Sequence, residues 1–384
     1  MGEIPSVDQL VATARERTGL DDFGPNTYRE GLGRLVDALA TEAKLSELGS
    51  FVLPELLLKH LTQRLQIEDW YRQHPEIDDE PIIAPLIGLG LPRTGSTALS
   101  ALLGEDPAAR SLRRWEAAQP CPPPSTVEGL DPRIAQAEAE HAMQNEMAPR
   151  LAALVPVGPT SPEECQDLMG LDFRAHYFQA FAFIPSYSDW LLDADLTSTY
   201  QYERRALKLL QWGEPSPRPW RLKCPSHLLW LEALDRVFPD ARFVMTHRDP
   251  TDVMVSVADL YNEVGQQFSE DVDLEYLGSL NVKHWTVAME RLLRFRQGRE
   301  SRFFDIDFRS MQADPLGEVC QLYDWLGEPV TPEFEAGMKR WWREHADGRD
   351  ENVHPGPAEF GLDLDQIRIG FQAYTVCMPE WTGR

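Results

Sequence analysis

Apolar residues recur three and four apart through DQLVATARERTG (8–19), REGLGRLVDALATEAKLSELG (29–49) and FVLPELLLKHLTQRLQIEDWYRQHP (51–75), which predicts an all-helical opening region over residues 1–80. The pattern then changes. PIIAPLIGLG (81–90) is a short, nearly continuous apolar run, as in a strand buried on both faces, and STALSALLGED (96–106) returns to helical spacing. Further strands are predicted at WRLK (220–223), ARFVMTH (241–247) and SRFFDIDF (301–308), followed by helical patterns in SHLLWLEALDRVF, DVMVSVADLYNEV and PLGEVCQLYDWLG. This alternation predicts an α/β fold over residues 81–384, a parallel sheet with helices as crossovers. About residues 120–215 form a helical insertion between the first two of these strands, where specificity is commonly carried, and 328–384 make a carboxyl-terminal region.

Between the first strand and its helix stands GLPRTGST (90–97), which has the outline of a phosphate-binding P-loop with Ser96 where a nucleoside triphosphatase has lysine. The sheet is therefore expected to be P-loop-like. Backbone amides from Thr94 through Gly95 and Ser96 to Thr97 would face an anion at the helix start, and the hydroxyls of Thr94, Ser96 and Thr97 add donors. Arg93 is the cation within the loop, and its planar fork suits a single phosphate. A kinase would need the missing lysine and a magnesium-holding acidic strand end, for which the sequence offers no evident residue. Strand ends in an open parallel sheet point into the ligand crevice, so Lys223 is placed to stabilise negative charge there.

Charge and cysteines narrow the classes. Lys and Arg number 37 against 62 Asp and Glu, a formal charge of −25, so neither nucleic acid nor an anionic membrane surface is an expected partner. The five cysteines lie far apart without a C-x-x-C pair, which argues against a zinc site and a disulfide framework and for a reducing, cytoplasmic setting. No apolar run is long enough for a membrane span, so integral membrane association is not expected.

The second phosphate-type motif is ARFVMTHRDPTDVMVS (241–256), in which Arg248 ends a strand and Ser256 follows within the next helix. PRTGST followed by a strand ending in R-[DN]-P-x-D-x-x-x-S resembles the sulfotransferase family that uses 3′-phosphoadenosine 5′-phosphosulfate (PAPS), and the likeness extends from about residue 83 to about 327. The resemblance implies that the first loop binds the 5′-phosphosulfate, that Arg248 and Ser256 bind the 3′-phosphate, that PAP is the product, and that no metal takes part. It also places Arg93 where lysine is frequent, Phe308 where a tyrosine often meets adenine, and Lys223 at a lysine of similar branches. The base histidine of one branch has no counterpart, since LKCPSH puts Pro225 two positions after Lys223. Other branches use a carboxylate shortly after the P-loop helix, and Glu116 in LRRWEAAQPCPPP stands there beside Trp115; His227 and His176 are the other candidate bases. The family's carboxyl-terminal R-K-G loop has no evident match in HPGPAEFGLDLDQ. The expected acceptor is a hydroxyl on a small molecule, lipid or glycolipid, with YFQAFAFIPSYSDWLLD (177–193) able to wall an apolar pocket and His141, Glu164 and Asp172 able to hold a sugar. A homo-oligomer is compatible with these features. A P-loop kinase and a non-catalytic nucleotide binder are the alternative readings.

Overall fold

The computed structural model describes residues 4–155, 157–216, 218–346 and 355–378; the remainder of the opening, carboxyl-terminal and insertion regions lies outside the described residues, among them His354 of the segment compared with the R-K-G loop. Five parallel strands make one sheet: β1 (Leu86–Gly90), β2 (Arg110–Ser111), β3 (Trp220–Lys223), β4 (Arg242–His247) and β5 (Phe303–Asp307), in the order β2-β3-β1-β4-β5. The first apolar run pairs only over its last five residues, because Pro85 has no N–H to give and Ile83 is exposed. β2 is a two-residue edge strand, too short to leave a periodic signal. The crossover from β4 to β5 holds the helix Pro250–Phe268 and a further helix, Leu274–Arg296.

Alternation along the strands supplies two buried faces. Ile87, Leu89, Leu222, Phe243 and Met245 join the large core that also takes in the opening helices and the insertion. Leu86, Val244 and Ile306 turn to the other side, against Leu99, Leu102, Leu103, Val319, Leu322 and Phe334. Among the opening helices, Val7–Thr18, Tyr28–Thr41 and Glu47–Gln73, the third packs so closely on Pro250–Phe268 that a Cβ at Gly49 would fall 2.0 Å from the Phe268 carbonyl oxygen. The aromatic stretch 177–193 is mostly structure and not an open pocket wall: Phe178 and Tyr187 are buried, and Phe181 meets Phe268 edge to face.

One buried cation ties the opening region to the insertion. Arg64 donates to the carbonyls of Phe23 at 3.1 Å, Pro25 at 2.9 Å and Leu171 at 3.0 Å, lies 3.6 Å from Asp172, and is held between the rings of Tyr28 and Tyr202. Asp172 also accepts from Arg174, Thr27, Ser198 and Thr199. Its carboxylate is thus a structural hub and not free to hold a sugar. Removing one partner of such a buried pair leaves an uncompensated charge, so Arg64→Met should destabilise the protein by about 3–5 kcal/mol in equilibrium denaturant unfolding. A change below about 0.5 kcal/mol, the level of an ordinary surface substitution, would show that the opening region is not fastened here.

Candidate active site

β1 ends on Gly90 at φ 138°, where an added Cβ would stand 2.6 Å from the Thr246 carbonyl oxygen. The chain then passes through Arg93, a non-glycine residue at φ 65°, and Gly95 at φ 86°, which caps the helix Ser96–Leu103. Left-handed backbone at an arginine is strained and is characteristic of a loop whose geometry serves a ligand. The turn directs the amino end of that helix at the carboxyl ends of β1 and β4.

The second motif closes on this loop. Arg93 Nε donates to Ser256 Oγ at 3.1 Å, and Arg248 Nη1 donates to the Arg93 carbonyl at 3.0 Å. The Arg248 guanidinium lies 4.5 Å from the centre of the Phe308 ring, which in turn packs against Gly95. Residues from three separate stretches therefore make one cationic corner. Burial lowers the pKa of Arg93, the adjacent Arg248 charge lowers it further, and the Asp259 carboxylate opposes both.

Lys223 reaches the same region from β3. Its side chain crosses in front of Gly88 on β1, where any Cβ would come within 3.0 Å of Lys223 Cγ, and it shares a narrow crevice with Ser96. Lys223 Nζ donates to Glu164 Oε1 at 2.7 Å. Burial opposes the lysine's charge, yet the Glu164 charge and hydrogen bond, with Glu163 behind, outweigh it and raise the pKa. Glu164 itself stays part-exposed, and its second oxygen has the Cys224 thiol at 4.0 Å.

The model of a sulfotransferase family matches residues 85–332. Two solved structures match over the whole chain at 33% identity: sulfotransferase STF9 from Mycobacterium avium, with TM-score 0.91 and all of both chains covered, and sulfotransferase STF1 from Mycobacterium tuberculosis H37Rv, with TM-score 0.86 and 97% and 100% covered. The chain belongs to the sulfotransferase family. A curated relative, the omega-hydroxy-beta-dihydromenaquinone-9 sulfotransferase Stf3 of Mycobacterium tuberculosis, is 25% identical over 130 residues, a third of either chain. The chain is a sulfotransferase enzyme with the expected α/β fold.

Within this sulfotransferase several expected site residues have other tasks. The Thr94 hydroxyl turns inward, donating to the Leu91 carbonyl at 2.6 Å and sharing a 2.6 Å hydrogen bond with Thr246, so only its amide remains for an anion. Glu116 is buried, its Oε1 accepts from Arg110 Nη2 at 2.8 Å, and its Oε2 accepts from the Arg113 amide at 3.0 Å, capping its own short helix. Burial raises its pKa; one oxygen fastens Arg110 of β2 and the other caps the helix Arg114–Ala118. His227 is fully buried, with its pKa pushed down to about 3 by burial, and Nδ1 meets the Tyr200 hydroxyl at 3.0 Å. His176 is buried against Tyr261, Gln179 and His284, and burial holds it neutral.

The carboxylate at the Lys223 ammonium is Glu164. The sequence had offered it only as a sugar ligand, because it lies 59 residues before its partner and outside any motif. An acidic strand end does exist, since β5 finishes on Asp307, but that carboxylate accepts from the Arg309 amide at 2.6 Å to start the next helix. His141 sits on the helix Pro132–Met147, 3.4 Å from Arg114, whose Nε is 3.6 Å from Glu163; that helix is thereby held beside the Glu163–Glu164 segment. Thr94→Val keeps shape and removes the buried hydroxyl. It should lower unfolding stability by about 1–3 kcal/mol, measured by denaturant titration, because Thr246 and the Leu91 carbonyl lose a partner. Unchanged stability would return that hydroxyl to the list of free phosphate donors.

Proposed function

We propose that the enzyme takes its sulfuryl group from PAPS and passes it to the hydroxyl of a lipid-like acceptor, with Glu164 as general base. The observation that carries this reading is the Lys223–Glu164 pair beside the corner formed by Arg93, Arg248, Ser256 and Phe308. In this reading the 5′-phosphosulfate lies against the amides of Thr94, Gly95, Ser96 and Thr97 with Arg93 above them, the 3′-phosphate takes Arg248 and Ser256, and adenine meets Phe308. Each phosphate is single, so no lysine is required at Ser96 and no metal bridge between phosphates is required.

The acceptor oxygen attacks sulfur in line, the bond from sulfur to the 5′-phosphate oxygen breaks, and PAP leaves. Negative charge grows on the departing oxygen, where the Lys223 ammonium stabilises the transition state more than the ground state. A donor bound at Lys223 competes with Glu164 for the ammonium and frees the carboxylate to take the acceptor's proton. The lipid-like acceptor rests on the menaquinone derivative in the name of Stf3 and on exposed apolar side chains, Leu130, Met143 and Met147, at and before the helix alongside Glu163–Glu164. With all five cysteines free, a reducing cytoplasmic compartment suits the chain.

Arg248→Ala should weaken 3′,5′-ADP binding by roughly tenfold to a hundredfold in titration calorimetry while leaving 5′-AMP nearly unchanged, since a hydrogen bond to a charged group is worth about 1.5–3 kcal/mol. Equal losses for both ligands would remove the 3′-phosphate from Arg248.

The two carboxylates separate in turnover. With PAPS and a hydroxylated isoprenoid quinone, Glu164→Gln should lower turnover by about a hundredfold to ten-thousandfold with 3′,5′-ADP affinity retained, whereas Glu116→Gln should chiefly lower the unfolding midpoint. A collapse of turnover in Glu116→Gln at unchanged stability, with Glu164→Gln active, would make Glu116 the base.

A further inference from the structure

Directly after each member of the Lys223–Glu164 pair the chain turns into the core. Cys165 follows Glu164 and its amide donates to the Lys223 carbonyl at 3.3 Å; His227 lies in the tight turn Pro225–Trp230 that leaves β3. Both face Glu203, midway along the helix Thr197–Gln211. Cys165, Glu203 and His227 are each 0% exposed, and one donor atom from each, thiol sulfur, carboxylate oxygen and imidazole nitrogen, lies within 4.8 Å of the other two.

Their hydrogen bonding is what makes the cluster unusual. Nε2 of His227 has no hydrogen-bond partner, and the Glu203 carboxylate has none beyond a weak contact with the Cys165 thiol, although carboxylates buried this deeply are ordinarily well paired. His227 Nδ1 is engaged by the Tyr200 hydroxyl at 3.0 Å, one helical turn before Glu203, which is the outer contact that orients a ligating imidazole and leaves Nε2 free. A thiol, an imidazole and a carboxylate make a donor set suited to zinc, with the fourth position left to water.

We propose that Cys165, Glu203 and His227 form a buried structural site for a thiophilic divalent cation of the zinc type. The cation would cross-link the segment carrying Glu164, the turn after Lys223 and the insertion helix, and so hold the lysine and carboxylate in register. It takes no part in sulfuryl transfer. The inference does not depend on the identity of donor or acceptor.

The test uses the full chain in a Cys377→Ser background, which removes the exposed thiol. After chelation and dialysis the protein is titrated with Co²⁺, following the thiolate-to-cobalt charge-transfer absorption. One equivalent should produce the band, Zn²⁺ should abolish it, and Zn²⁺ should raise the unfolding midpoint as expected for a cation bound only by the folded state. Glu203→Gln, nearly isosteric and checked for fold by circular dichroism, should weaken cobalt binding by roughly tenfold or more, and Cys165→Ser should remove the band. Absence of the band in the parent, or a band and a zinc stabilisation that persist unchanged in both variants, would overturn the proposal and leave the cluster a polar void filled by water.

Discussion

The carboxyl end of the central strand must be nearly bare of side chains. Lys223 and Thr246 approach β1 from opposite sides at Gly88 and Gly90, and a methyl group at either glycine would collide with them at 3.0 Å or less. Those two hydrogens in place of carbon allow the lysine to lie across the strand and the loop to fold back over β4. Everything charged in the site depends on that clearance, since the loop amides, Arg93, Arg248 and Lys223 are positioned by the three strands β3, β1 and β4. The edge strands serve a different purpose: β2 is fastened through Arg110 and Glu116, and Asp305 on β5 clasps His247 and Arg296.

Against a net charge of −25, cations are spent locally. Arg64, Arg110 and Arg174 are buried and paired with the distant Asp172, Glu214 and Glu30, while Arg93 and Arg248 are set next to each other with the Ser256 hydroxyl and the Phe308 ring between loop and strand. An acidic molecule recognises a small anion by close, directed contacts of this kind and not by a diffuse field.

Local motifs were readable because their physics is local. A strand buried on both faces shows as an apolar run, a glycine loop leads into its helix, and Arg248 and Ser256 are fixed by one strand and the helix after it. What escaped was assembled across distance. Glu164 meets Lys223 through folding of the insertion, and the pairing of Glu116 with Arg110, six residues before it, left no mark in the motif that drew attention to it. The aromatic run 177–193 carries the same composition whether it lines a pocket or fills a core, and only packing against the opening helices decides. Cysteine spacing speaks only for ligands supplied by one short segment and is silent on the gathering of Cys165, Glu203 and His227, which come from three.

Arg93 divides a single guanidinium between Ser256 and the Leu154 carbonyl, the latter at 2.7 Å, and Leu154 ends the arm that Arg150 fastens to Asp259 at 2.9 Å. The arm Pro149–Leu154 and the corner at Ser256 and Arg248 thus share one side chain with a finite set of donors. Whatever draws Arg93 toward an anion loosens the arm, and whatever orders the arm presets Arg93. Thermodynamic reciprocity makes these the same free energy seen from two ends, so ordering of the arm and the setting of Arg93 cannot be changed independently.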